Sequence, residues 1–206
     1  MDNSLLESAI ANSQHCQRNW NLEKTIPEVD LNTLEQAVTQ CASKQNRVFY
    51  KVHFITDRDI IEKIYHQTDG FMINFQTRET KKNPQTLANL LVAFTEYNDE
   101  NEELRTTEEI DAGTHLEQKR LRDRWTALGI AGGYLTLTAN ILGYSTGFCQ
   151  CFNPTTVDPI LGTDGTLLLV GVGFPGDLNK RTHHLEHDFT FRSFTKDISV
   201  EYIEGE

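Results

Sequence analysis

Cysteine, proline and methionine are scarce in this sequence, at four, five and two among 206 residues. So few cysteines in a chain this long do not suggest a small disulfide-stapled scaffold. The opening Met-Asp-Asn-Ser carries no basic stretch of the kind that begins a secretory signal, so the expected setting is cytoplasmic, with reduced thiols. Basic residues are also in deficit: 19 Lys and Arg stand against 30 Asp and Glu, a formal net charge of −11. Phosphate contacts need a basic surface, so nucleic acid is not an expected partner. No apolar run has the length of a membrane span. The longest weakly polar stretch, 127–142, is interrupted by Thr136, Thr138 and Asn140.

The signals that are present describe one α+β unit. Leu5, Leu6, Ala9 and Ile10 share a helical face, and Asp30 stands as the cap of a second helix with Leu31, Leu34, Ala37, Val38 and Cys41 at helical spacing. Residues 49–56, 87–97 and 166–174 read as strands, the middle one nearly continuously apolar and therefore central. Asp57 opens a helix with Ile60, Ile61 and Ile64 as its core stripe. Residues 69–85 read as a packed loop, and 98–111 as a solvated acidic connection. A long helix over 117–142 starts basic and ends apolar on nearly all sides. Its Gly129, Gly132 and Gly133 disfavour the helix unless another backbone packs close, and Gly143 stops it. The C-terminal stretch 188–206 reads as an extended arm, with Phe189, Phe191, Ile198, Val200 and Tyr202 at period-two spacing. It is appended to a domain over 1–187. The fold expected is three-layered, a mainly antiparallel central sheet flanked by helices.

Local chemical motifs are weak. His183, Glu186 and His187 spell an inverted zinc-peptidase pattern, but between a Pro-Gly turn and a β-like tail rather than on a helix, so no metal site is assigned. Cys149-Gln150-Cys151 would place two thiols on one side of a strand. That pair supplies too few ligands for zinc but could act as a redox couple. Gly171-Val172-Gly173 falls late in a strand, and Gly143-Tyr144-Ser145-Thr146-Gly147 has the wrong flanks for a nucleophile elbow. No nucleophile–base pair is legible.

A dispersed set of segments says more. In order along the chain come Gln14-His15-Cys16-Gln17-Arg18-Asn19-Trp20 with Ile26-Pro27, then Cys41-Ala42-Ser43-Lys44-Gln45-Asn46-Arg47. Later come Ala139-Asn140-Ile141-Leu142-Gly143-Tyr144, Phe148-Cys149-Gln150-Cys151-Phe152-Asn153, and Val172-Gly173-Phe174-Pro175 followed by Lys180-Arg181. Their order and spacing over about 5–182 resemble the nitroreductase family of flavoproteins. The resemblance implies a homodimer holding FMN in two interface pockets. It also implies reduction by NADH or NADPH and two-electron delivery to a small aromatic acceptor such as a nitroaromatic or a quinone.

It further implies roles for individual residues. Gln14, His15, Cys16, Lys180 and Arg181 would face the phosphate, and Arg18 the N1 and O2 edge of the flavin. Ser43 and Asn46 would reach in from the partner subunit, and the backbone at Cys149 and Gln150 would lie beside N5 and O4. Four positions depart from the family pattern: Gln14 replaces an Arg, Cys16 a Ser, Ala42 a Pro and Gln150 a Gly. Loss of a guanidinium and a hydroxyl weakens phosphate binding. A flavin-less protein of the same fold, serving in binding or structure, is the alternative.

Overall fold

A computed structural model describes residues 3–74, 76–97, 114–176 and 196–203. Its sheet is built from β1 (Tyr50–Ile55), β4 (Leu90–Glu96), β5 (Ser145–Cys149) and β6 (Thr166–Gly173), in the order β1-β4-β6-β5 with every neighbouring pair antiparallel. The helices are α1 (Ser4–Ser13), α2 (Glu28–Thr39), α3 (Arg58–Gln67), α4 (Thr114–Ile141) and α5 (Pro154–Leu161). A small antiparallel hairpin, β2 (Phe71–Asn74) and β3 (Glu79–Lys81), lies within the stretch read as a loop.

The alternation of β4 makes the three layers. Leu90, Val92 and Phe94 point to one face, where Leu34 and Val38 of α2 and Leu128, Ala131, Leu135 and Ala139 of α4 meet them. Leu91 and Ala93 point to the other, against Ile61 and Ile64 of α3, Val157 of α5 and Cys149. All five of these β4 side chains are fully buried. Each contributes through the apolar area it removes from water, up to about 1.5–3 kcal/mol for the larger ones.

Local signals set most boundaries. The Asp57 carboxylate accepts from the Ile60 N–H at 3.0 Å and caps α3. Gly143 stops α4 at a φ of 87°, a conformation costly for other residues. The expected cap at Asp30 is corrected: α2 starts at Glu28 behind Pro27, which presets the backbone. Asp30 sits in the first turn, where its carboxylate accepts the Tyr144 hydroxyl. On α1, Ala9 is buried, whereas Leu5, Leu6 and Ile10 are exposed. Helix α4 is buried on one side through Ala127, Leu128, Ala131, Leu135 and Ala139. Its other side is open, with Trp125, Tyr134 and Ile141 exposed. Among the described residues no helix is long and apolar enough to cross a membrane.

Candidate functional site

Between α1 and α2 the chain crosses one edge of the sheet, and there it positions the first group of candidate residues. Gln17 donates its N–H to the Thr146 carbonyl at 2.7 Å, and the Cys16 thiol donates to the Phe148 carbonyl at 3.7 Å, so the segment lies along β5. Asn21 N–H then bonds Phe174 O, and Gly176 N–H bonds Asn19 O, both at 2.9 Å, which ties the segment to the end of β6. Glycine makes the approach possible. A Cβ at Gly147 would stand 2.5 Å from the Gln17 carbonyl oxygen and 2.6 Å from Gln85 Cβ.

Asn89 pins the same junction. Its Nδ2 donates to the carbonyls of Asn21 (2.9 Å) and Lys24 (2.8 Å), and its Oδ1 accepts from Phe174 N–H (3.0 Å). An Asn89→Ala variant leaves three backbone groups without these partners. It should lose about 2–4 kcal/mol at roughly 1 kcal/mol or more per bond, read by urea unfolding.

At this edge Arg18 is half-buried and its Nη1 donates to the Cys16 carbonyl at 3.0 Å. His15 and Cys16 are half-buried, and Gln14 is exposed with its amide on the Ala11 carbonyl at 2.9 Å. Gln17 and Asn19 are buried, and among the described residues Gln17 Nε2, Asn19 Nδ2 and Gln85 Oε1 have no hydrogen-bond partner. Cys149 closes β5 and is buried, whereas Gln150 and Cys151 are exposed. This corrects the expectation that the two thiols share one side of a strand: β5 ends at Cys149, and the chain leaves the sheet before Cys151.

Burial pushes the Cys149 thiol up to about 12. The Cys151 backbone N–H facing it pulls the other way, and Cys151, Cys16 and Asp69 nearby reinforce the rise. Only the thiolate reacts, so iodoacetamide at pH 8 should label Cys151 in the native protein and Cys149 only after unfolding, as mass spectrometry of the digested protein would show.

Ser43 and Asn46 stand elsewhere, in the segment that leads into β1 at the opposite edge of the sheet. The Ser43 hydroxyl donates to the Arg47 carbonyl at 2.7 Å, and Asn46 is exposed with a φ of 56°. Lys44 moors this segment to α4 by an ion pair with Asp123 at 2.5 Å. Three strand spacings, ~14 Å in all, separate β1 from β5. A cavity of about 630 Å³ runs beside β1, lined by Val38, Cys41, Ser43, Tyr50, Val52 and Phe54 among others. Within one chain the candidates therefore form two groups that do not meet. Lys180 and Arg181 lie outside the described residues, as do His183, Glu186 and His187.

No protein-family model and no curated protein matches the sequence. Solved structures do. A Bacillus subtilis chain assigned as a nitroreductase superposes with a TM-score of 0.68 at 14% identity, over 98% of this chain and 100% of that one. The fold is that of the nitroreductases. A nitroreductase family protein of Clostridium novyi aligns with a TM-score of 0.62 at 15% identity, over 86% of this chain and 87% of the other. An FMN-dependent nitroreductase of Clostridium difficile aligns at 0.57 and 12%, over 82% and 88%. The nitroreductase fold recovered here agrees with the expected α+β arrangement, including the central place of β4 and the antiparallel sheet.

Sequence reasoning missed β5 and α5. Asn153 signals α5: its side chain accepts from Thr155 N–H at 3.0 Å, and Pro154 follows in the first helical position.

Whether FMN suits the β5 edge turns on the donors gathered there. Arg18 supplies a permanent cation, Gln14 and His15 supply further N–H donors, and in the same segment the buried amide N–H groups of Gln17 and Asn19 have no partner among the described residues. That set fits an anionic, acceptor-rich group, so the residues fit a flavin phosphate and the polar edge of its ring.

Proposed function

We propose that two copies of this chain form an FMN-dependent oxidoreductase. It takes electrons from NADH or NADPH and delivers them in two-electron steps to a small conjugated acceptor, a nitroaromatic or a quinone. The observation that carries the reading is the division of candidate residues between opposite edges of the sheet, within a fold shared with an FMN-dependent nitroreductase. One chain supplies Gln14, His15, Cys16 and Arg18 with the backbone of Cys149 and Gln150, and the other supplies Ser43 and Asn46. Lys180 and Arg181 add charge for the phosphate.

FMN, when bound, supplies the capacity to accept a hydride and pass on two electrons. The residues do the rest. Arg18 holds a positive charge where negative charge builds up on reduction, which favours the reduced form. Backbone N–H groups at the end of β5 orient the ring, and Ser43 and Asn46 close the pocket against water.

The open side of α4 supports the second copy. Trp125, Gly129 and Gly133 recur at four-residue spacing there, Tyr134 and Ile141 flank them, and nothing lies within 4 Å of a Cβ built at either glycine. Two such helices can cross closely at the glycines and cover the aromatic and aliphatic neighbours. The arm finds a receiver on the same copy. Ile198, Val200 and Tyr202 are exposed on their own chain at period-two spacing, and the free edge of β1, with its apolar cavity, can take them as an added strand.

The test is a titration of purified protein with FMN, followed by flavin fluorescence and by the visible spectrum on anaerobic addition of NADH or NADPH. Saturable quenching and bleaching of the bound flavin are expected. No binding at high micromolar FMN overturns the reading.

A further inference from the structure

Three of the four cysteines converge where β5 ends. Cys149 is the last residue of the strand, 2% exposed. Cys151 follows two residues on and is exposed. Cys16 approaches from the N-terminal segment, with its thiol on the carbonyl of Phe148. Cys151 and Cys16 both act electrostatically on Cys149, and the Cys151 N–H faces the Cys149 sulfur.

In an extended strand, residues two apart are ~6.7 Å apart at Cα, at the long limit for a disulfide. Here the strand ends at Cys149, so the backbone from Gln150 onward is not held to that spacing. At Cys151 the backbone is fixed again. Cys151 O accepts from Asp69 N–H at 2.6 Å, and Phe152 bridges to Thr68. Only Gln150 lies between the two anchored thiol-bearing residues, Cys149 paired with Leu169 of β6 and Cys151 bonded to Asp69.

We propose that Cys149 and Cys151 form a redox-active dithiol that reacts with small disulfides. Cys151, open to solvent, attacks one sulfur of the small disulfide. The S–S bond breaks, one thiol leaves with a proton from water, and a mixed disulfide forms on Cys151. Cys149 then gives up its proton and attacks the Cys151 sulfur, which expels the second small thiol. The net change is oxidation of two protein thiols to one disulfide and reduction of one small disulfide to two thiols. Burial slows Cys149 toward external reagents, but its tethering beside Cys151 compensates through proximity. Cys16 is a bystander whose thiol is engaged with the β5 edge. The assignment does not depend on flavin binding.

The test uses the reduced full-length protein with excess oxidised glutathione, acid quenching and mass mapping. The expected product is a wild-type peptide containing residues 149–151 that has lost two hydrogens and carries no glutathione. Cys149→Ala should accumulate one glutathione on Cys151, and Cys16→Ser should behave as wild type. Glutathione persisting on Cys151 of the wild-type protein overturns the proposal, as does a disulfide to Cys16 or no reaction at Cys151. The wild-type map decides even if Cys149→Ala folds poorly.

Discussion

A Gly129→Leu, Gly133→Leu double variant is expected to run as a monomer at concentrations where the proposed dimer of the unaltered chain persists. Both glycines lie on the open side of α4, with free space around the Cβ positions. Among the described residues nothing lies within 4 Å of the added Cβ atoms. Replacing Gly by Leu inside a helix also gains up to about 1 kcal/mol per position in propensity. The isolated chain should thus become more stable, while a closely crossing partner helix is pushed away. These opposite signs separate loss of assembly from loss of folding. Light scattering over a dilution series reads the first, and thermal unfolding the second. A double variant that stays dimeric to the same dilution would remove α4 from the interface.

Arg18→Ala should weaken FMN binding by about tens to hundreds of fold, the equivalent of one charge-assisted hydrogen bond at roughly 1.5–3 kcal/mol. Its side chain also donates to Cys16 O, so part of any effect could come from loosening the segment. The midpoint potential distinguishes the two. A cation at the flavin's polar edge stabilises the reduced form, so its removal lowers the potential of whatever flavin still binds. Loosening alone changes affinity and leaves the potential in place. Unchanged affinity together with an unchanged potential would leave Arg18 as a staple for the Cys16 carbonyl.

The elements that could be read from the sequence are those whose residues satisfy local and tertiary demands at once. Strand β4 is apolar from Leu90 to Phe94 because both its faces are covered, and α3 announces itself through the Asp57 cap and the stripe of Ile61 and Ile64. Strand β5 carries no such signal. Ser145-Thr146-Gly147-Phe148-Cys149 is neither alternating nor aliphatic, because Gly147, paired with Gly171 in the sheet, must also admit the backbone of Gln17. Helix α5 contains two prolines in eight residues and was obscured by them.

The candidate site was legible as a set of segments, since their order survives along the chain, but not as a place. Nothing local in Ser43 or Asn46 says that β1 forms one edge of the sheet and that Arg18 belongs to the other. The exposure of Cys151 beside buried Cys149 also depends on where the strand stops, which period-two reasoning does not supply.

A pocket assembled from both edges has a genetic signature. In a dimer of this kind each flavin draws Arg18 from one subunit and Asn46 from the other. A chain damaged only at Arg18 and a chain damaged only at Asn46 each build two defective pockets on their own. When they pair, both lesions fall in the same pocket and the second pocket is intact. Co-expression of two inactive alleles should then restore function, whereas a single allele bearing both lesions puts one lesion in each pocket when paired with wild type and leaves neither sound. On the proposed assembly, the wide separation of the two edges makes the dimer, rather than the chain, the unit on which mutations are judged.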